Sequence, residues 1–114
     1  MEIFYHHIYE YQKGIRNLIL HSTSKGNLNL VRTKLSAENI SFLIYPLGKD
    51  KINIFFGDTE CIAVIKKIGK ISLTDYTPEE DFILGIMLGY DRRKQCSRYL
   101  QMKQENKKLT VHTA

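Results

Sequence analysis

The sequence predicts an α+β fold whose centre is a ferredoxin-like βαββαβ core, an antiparallel sheet with two helices on one face. Two observations lead to this prediction. Six central segments follow the order strand, helix, strand, strand, helix, strand, according to apolar spacings of two or of three and four residues. In addition, 114 residues with 43% hydrophobic and 25% charged content suit one folded domain, residues 1–114, with one core.

One further helix is predicted at each end of the chain. Both are expected on the open face of the sheet, because both faces of the first strand are apolar. The segment MEIFYHHIYEYQKG predicts a helix through Phe4 and Ile8, although its β-forming residues leave a strand open. The segment IRNLILHST predicts a mostly buried strand, and NLNLVRTKLSAEN predicts an amphipathic helix with leucine and valine at three- and four-residue steps.

The middle of the chain predicts a hairpin, a helix and a last strand. ISFLIYPLGKDKINIFFGD contains two strands, 40–47 and 52–57, joined by a polar turn. Asp58 is a candidate N-cap for the helix TECIAVIKKIG, whose isoleucines form one stripe and which ends at Gly69. KISLTDY alternates apolar and polar residues and predicts a fourth strand at an edge of the sheet.

The last predicted helix runs from about residue 78 to about residue 106. Its start is the capping-box sequence TPEE at 77–80, with proline at the first helical position. Gly85 and Gly89 follow within the apolar run FILGIMLGY. A glycine inside a helix costs about 1 kcal/mol relative to alanine, so the pair indicates close approach by a neighbouring helix or by the sheet. A seam for self-association is the alternative.

The net charge of +5 comes from the C-terminal segment. Residues 91–114 carry seven basic and two acidic side chains, whereas residues 1–90 carry ten of each. The helix dipole favours cations at a C terminus, so this enrichment also has an explanation without a partner. We predict a partner-binding surface on the basic half-helix at about 91–108, followed by a short flexible tail at 109–114. Its candidate contact residues are Arg92, Arg93, Lys94, Arg98 and Lys103, with Tyr99 as an aromatic anchor.

The ring-rich start FYHHIYEYQKGIR raises the hypotheses of a metal site and of a base-stacking surface. Adjacent histidines on a helix point about 100° apart, so His6 and His7 cannot both face one ion, and no metal site is predicted. The strand KINIFFGD carries aromatic rings but lacks the glycine-rich surroundings of RNA-recognition sheets. Core packing is therefore favoured for the rings, and His6, His7 and Tyr9 are retained as a candidate polar site.

The two cysteines are candidate residues for redox or nucleophilic chemistry. Cys61 and Cys96 form no CxxC motif, so neither a redox dithiol nor a zinc site is predicted. Cys61 lies in the first turn of a predicted helix, where the dipole would lower its pKa, but burial as a small apolar residue is favoured. No paired carboxylates, nucleophile elbow or phosphate-binding glycine loop accompany it. The sequence predicts neither an enzyme nor a bound cofactor.

The stretches HHIYEYQKGIRNLILH and PEEDFILGIMLGYDRRKQCSRYL resemble the two ends of a small bacterial family with a domain of unknown function. The similarity runs over nearly the whole chain. The family has no established activity and no assigned catalytic residues, so the resemblance implies no site. It implies a partner, since genes of this family often stand beside a flavodoxin gene.

Together these features predict a cytoplasmic, non-catalytic adaptor or regulator that binds an acidic protein, with a flavodoxin as the partner that the resemblance implies. Flavodoxins are acidic electron carriers, which agrees with a basic helix. A nucleic-acid-binding protein that uses the same helix is one alternative. A small-ligand regulatory domain, which dimerises through its sheet or through the helix surface at Gly85 and Gly89, is another alternative. The first residues do not follow the pattern of a signal peptide, and no apolar run is long enough to span a bilayer.

Overall fold

The computed structural model describes the backbone of residues 1–113 and the side chains of residues 1–106. The helices are α1 (Glu2–Gln12), α2 (Leu28–Ala37), α3 (Thr59–Ile68), α4 (Pro78–Met87) and α5 (Arg92–Thr113). The strands are β1 (Leu18–Ser24), β2 (Ser41–Leu47) and β3 (Lys51–Gly57). Ala114, the last residue of the predicted tail at 109–114, and the side chains of the rest of that tail lie outside the described residues.

The sheet is antiparallel with the strand order β1-β3-β2. In its register Ile19 and Phe42 both lie opposite Phe56, and His21 and Ile44 both lie opposite Ile54. The two outer strands therefore run parallel to each other, and β3 lies between them. Residues 52–57 of β3 are all buried, because apolar side chains point to both faces of this central strand. The predicted hairpin and the first strand are confirmed.

The fourth strand predicted for KISLTDY is wrong, and the ferredoxin-like arrangement is not confirmed. The segment contains the 3₁₀ turn Leu73–Asp75. Its backbone groups bond locally, from Asp75 N to the Ser72 carbonyl at 3.1 Å and from Tyr76 N to the Leu73 carbonyl at 3.2 Å. The hydroxyls of Ser72 and Thr74 also form a hydrogen bond at 2.7 Å, so these polar groups bond within the segment and not to a neighbouring strand.

The helices cover both faces of the sheet. One apolar cluster joins α1 and α2 to the face that carries Ile19, Ile54 and Phe56. The other joins α3 and α4 to the face that carries Leu18 and Phe55. The predicted placement of the two central helices on one face, and of the two end helices together on the other, is therefore wrong. The reason lies in the strands, whose alternating residues are apolar on both faces and require cover on each.

The predicted helix from about 78 to about 106 is divided into α4 and α5. Gly89 has φ +80°, a left-handed conformation that glycine adopts without strain. The hydrogen bonds from Gly89 N to the Ile86 carbonyl and from Tyr90 N to the Gly85 carbonyl form a Schellman motif that ends α4. Asp91 then caps α5, since its Oδ1 accepts from Lys94 N at 3.0 Å. Within residues 1–113 no helix has both the length and the hydropathy of a bilayer span.

Candidate interaction surface

The helical hairpin of α4 and α5 carries the basic segment, and α4 attaches it to the sheet. The Thr77 hydroxyl accepts from Glu80 N at 3.1 Å, and the Glu80 carboxylate accepts from Thr77 N at 2.9 Å. This is the predicted capping box, and it sets the start of α4. Leu84 and Leu88 are buried against the sheet. The position of α4 is therefore determined by both local capping and core packing.

Polar contacts near the surface hold α5 against α4. Nε and Nη2 of Arg98 donate to the two carboxylate oxygens of Asp81 at 2.7 and 3.0 Å. Glu79 accepts from the Tyr99 hydroxyl at 2.8 Å and lies 3.1 Å from Lys103 Nζ. Later residues of α5 contact earlier residues of α4, so the two helices are antiparallel. None of the side chains described on α5, residues 92–106, is buried.

Gly85 allows the two helices to approach each other. A Cβ atom at this position would collide with the side-chain amide of Gln95 on α5. The group that approaches Gly85 comes from α5, which the sequence predicted as part of the same continuous helix as Gly85, so the neighbour itself was not predicted. Gly89 has a different role, because it ends α4 and allows the chain to reverse direction.

The contacts between α4 and α5 favour the charged forms of Glu79, Arg98 and Lys103, and they raise the pKa of Tyr99, which favours its neutral form. Hydrogen bonds from Tyr99 and Lys103 lower the pKa of the Glu79 carboxyl. The same contact with Glu79 raises the pKa of Lys103. The hydrogen bonds to Asp81 raise the pKa of Arg98. Three of the six predicted contact residues, Arg98, Tyr99 and Lys103, thus have partners within the chain.

The other three predicted contact residues, Arg92, Arg93 and Lys94, form the first turn of α5 and are exposed. In the part of the chain with described side chains, no group pairs with any of these three side chains. The break at Gly89 makes them N-terminal residues of a helix, where the positive end of the dipole opposes cations. The explanation that their charge suits a helix C terminus therefore does not apply to them.

An open apolar groove of about 500 Å³ lies on the outer side of the hairpin. It is lined by Glu79, Phe82, Ile83, Cys96, Tyr99 and Leu100. The side chains of Ile83 and Leu100 are 42% and 65% exposed. The sequence prediction missed this groove. The segment FILGIM could have indicated the groove. Its side chains are apolar on all sides of the helix, and contact with the sheet covers only one side.

A second cleft lies between the sheet and α5. A small-ligand regulatory domain, which is one of the alternative functions, would bind its ligand in a pocket between these two elements. Leu20, Leu84 and Leu88 line it together with Gln95 and Arg98. Its volume of about 270 Å³ is slightly below the range of about 300–1,000 Å³ typical of small-molecule pockets. The groove on the outer side is the larger of the two.

The aromatic start of the chain divides into buried and exposed residues. Phe4 and Ile8 lie in the core, whereas His6 and Tyr9 stack at 6.3 Å on the outside of α1. His7 Nδ1 lies 3.2 Å from Glu10 Oε1 and 3.5 Å from Arg16 Nη1. Because α1 and α4 cover opposite faces of the sheet, this polar site is separate from the hairpin groove.

The titratable groups near α1 form no metal centre in the described part of the chain, where no three histidine, cysteine or acidic side chains lie close enough to hold an ion. His21 packs 5.4 Å from the His7 ring. Burial, the neighbouring His7 and the N-terminal ammonium lower the pKa of His21, which favours the neutral imidazole.

Cys61 does not have the lowered pKa that its helix position predicted. Burial raises the pKa of this thiol, and the nearby Asp58 and Glu60 carboxylates raise it further. The thiol contacts the core cluster under α3. This environment suppresses the thiolate that a nucleophile requires.

A three-stranded sheet covered on both faces and a helical hairpin with a basic second helix define a small α+β protein whose candidate site is an open surface on helices. The chain belongs to the family described as protein of unknown function (DUF2023), which matches residues 2–102. The resemblance to a family of unknown function is thereby confirmed, and the flavodoxin partner that it implies stays a prediction. A comparison with curated proteins gives no match.

Proposed function

We propose that this protein is a non-catalytic adaptor or regulator that binds an acidic protein through the first turn of α5. The observation that supports this most directly is the cluster of Arg92, Arg93 and Lys94, three adjacent exposed cations without an intramolecular partner among the described residues. Like charges repel one another, and the helix dipole opposes them as well. An acidic partner surface would relieve both unfavourable terms.

Arg98, Tyr99 and Lys103 have a supporting role in this proposal. Their bonds to Asp81 and Glu79 set the position of α5 and therefore of the cation cluster. The Arg98 side chain is 57% exposed, so its outer edge remains accessible beside the cluster. Complementary charge would act mainly by raising the association rate and by selecting the partner.

The partner that we propose is a cytoplasmic acidic protein, with a flavodoxin as the first candidate because the family resemblance implies one. The test measures binding of this protein to a purified acidic flavodoxin, to duplex DNA and to single-stranded RNA by biolayer interferometry at several salt concentrations. Flavodoxin should bind, with an affinity that falls as salt rises. Binding to nucleic acid alone, with log K falling by about 0.9 per phosphate contact, would contradict the proposal.

Two triple variants locate the binding surface. The variant Arg92→Glu, Arg93→Glu, Lys94→Glu should bind flavodoxin with an affinity at least about tenfold lower, since it replaces electrostatic attraction by repulsion. The control Lys49→Glu, Lys66→Glu, Lys67→Glu changes the charge equally at other exposed positions and should retain affinity. Equal losses in the two variants would mean that net charge acts without a defined site.

A further inference from the structure

The groove on the hairpin combines residues of two antiparallel helices. Phe82 and Ile83 contribute to it from α4, and Ile86 extends the same stripe by one helical step. Cys96 and Leu100 lie one turn apart on α5 and form the opposite wall. An open trough between two antiparallel helices has the shape that accepts a third helix along its axis.

Charge distinguishes the two ends of the groove. On α5, Arg92 and Arg93 precede Cys96 by four and three residues, so they share its face at the end near the turn. At the other end Lys103 is paired with Glu79 at 3.1 Å. The groove is therefore positively charged at one end, and at the other end its positive charge is neutralised by Glu79. This difference defines the orientation of a bound ligand.

The same charges argue against a second copy of this chain as the occupant. A two-fold arrangement would place two α5 helices side by side, either parallel or antiparallel. In the parallel case Arg92 and Arg93 would face their own copies, and in the antiparallel case they would face the Glu79–Lys103 pair, whose charges already cancel. Neither arrangement gives the two arginines an uncompensated acidic group, whereas a helix with acidic residues at one end complements the groove.

We propose that the hairpin groove binds an amphipathic α-helix of the acidic partner. Apolar side chains of that helix, at i, i+3 or i+4, and i+7, enter between Ile83 and Leu100, and its acidic end contacts Arg92 and Arg93. The inference rests on the proposed function and specifies how the partner docks. It separates two contributions, since apolar contacts slow dissociation and the charges speed association.

The test uses a fluorescein-labelled synthetic peptide of roughly 18 residues, with a leucine stripe at helical spacing and glutamates at one end. A scrambled peptide of the same composition lacks the apolar face. Fluorescence anisotropy should show binding of the first peptide at least about tenfold tighter than binding of the second. Equal binding of the two peptides, or binding of neither, would overturn the inference.

Paired variants connect the peptide to the groove. Ile83→Gln with Leu100→Gln should weaken binding at least about tenfold and leave the salt dependence unchanged. The control Ile71→Gln with Leu30→Gln replaces apolar residues of comparable exposure elsewhere and should bind like the unaltered protein. All four side chains are exposed, so the substitutions preserve the fold, which circular dichroism checks.

The reaction rate of the Cys96 thiol tests the binding site independently, because this exposed thiol lies in the groove. In a Cys61→Ala background, saturating peptide should slow the reaction of Cys96 with a thiol reagent at least about tenfold, as expected when a contact excludes solvent. The scrambled peptide should not slow it. Full reactivity of Cys96 in the peptide complex would show that the peptide binds elsewhere and would overturn the inference.

The outcomes also separate this inference from the proposed function. If the Arg92, Arg93 and Lys94 variant loses flavodoxin binding while the Ile83 and Leu100 variant retains it, the adaptor function stands and the helix-in-groove inference fails. If the groove variant instead abolishes a dimer seen by analytical ultracentrifugation, the occupant is a second copy and the inference fails as well.

Discussion

The sheet region and the α4–α5 hairpin are stabilised in different ways. In the sheet region β3 is buried along residues 52–57, and α1 inserts the buried side chains of Phe4 and Ile8 into the core beside it. In the hairpin α5 buries none of its described side chains and is held by charged groups near the surface together with the contact of the Phe82 and Tyr99 rings. Hydrophobic burial does not depend on the screening of charges by salt or on carboxylate protonation, whereas surface ion pairs respond to both. The helix that carries the candidate binding surface is thus the more easily displaced one.

The largest effect is expected from Phe4→Ala. Phe4 is 0% exposed and packs edge-to-face on Phe56 at 5.7 Å, so truncation leaves a cavity. The free energy of unfolding should fall by about 3–5 kcal/mol. Urea denaturation followed by circular dichroism measures this, and Leu100→Ala on α5 is the matched control, with a change within about 0.5 kcal/mol. Similar losses in the two variants would remove the distinction between the regions.

The second-largest difference between the two regions is expected when a glycine in each is replaced by alanine. A Cβ at Gly57 would collide with the Asn17 backbone, and its φ of +148° is strained for alanine. Gly57→Ala should therefore cost at least about 2 kcal/mol in urea denaturation. At Gly85 the obstacle is the flexible Gln95 side chain, and alanine gains up to about 1 kcal/mol of helix propensity, so the net change should stay within about 1 kcal/mol.

The double variant Gly85→Ala, Gln95→Ala removes the obstacle at the hairpin. It should be more stable than the single Gly85→Ala variant, because the propensity gain remains and the collision is gone. A double variant that is no more stable than the single one would mean that the backbones of α4 and α5, and not the Gln95 side chain, resist the added methyl group.

Arg98→Ala tests the ionic attachment of α5. The bond to Asp81 is bidentate but exposed, so the global stability should fall by only about 0.5–1 kcal/mol. Amide hydrogen exchange should nevertheless quicken along α5 and stay unchanged in β3, and added salt should have the same direction of effect. Arg92→Ala is the control on the same helix, because Arg92 forms no ion pair with the side chains that the structure describes. Faster exchange in β3 as well would show that hairpin and sheet open together.

The smallest expected effects are on pH dependence, and they fall in two windows. The pKa of His21, near the sheet, is lowered from 6.5 by burial, by His7 and by the N-terminal ammonium. The unfolded chain then binds more protons, so stability is present above pH 6.5 and is lost as the pH falls below it. The pKa values of Glu79 and Glu80 in the hairpin are lowered from 4.5, so their stabilisation is present above that value and is lost as the pH falls further.

Two variants assign these windows to their regions. His21→Gln should flatten the loss of stability between about pH 7 and 5, and Glu79→Gln should reduce the loss between about pH 5 and 3. Urea denaturation across this range measures both, and Glu105→Gln, at an exposed position on α5, is the control. The assignment fails if either variant changes the slope in the other window.

Much of the secondary structure was predictable from sequence because its causes are local. The capping box at Thr77, the spacing of Phe4 and Ile8 and the alternation along β1 act between residues that are close in the chain. The candidate site was predicted in part. The location of the excess charge follows from composition, but the pairing of Arg98, in contrast to Arg92, which has no partner among the described side chains, depends on a contact between residues 17 positions apart.

The sequence by itself therefore determined α1, α2, α3, the start of α4, the hairpin strands and the basic segment, since periodicity, caps and charge are properties of neighbouring residues. The tertiary structure decided three other things: which face each helix covers, that KISLTDY does not join the sheet, and that the chain reverses at Gly89. Each is a choice between alternatives of similar local energy, settled by which distant apolar and charged groups could be satisfied together. That choice made Arg92, Arg93 and Lys94 the exposed start of a helix and opened the groove beside them.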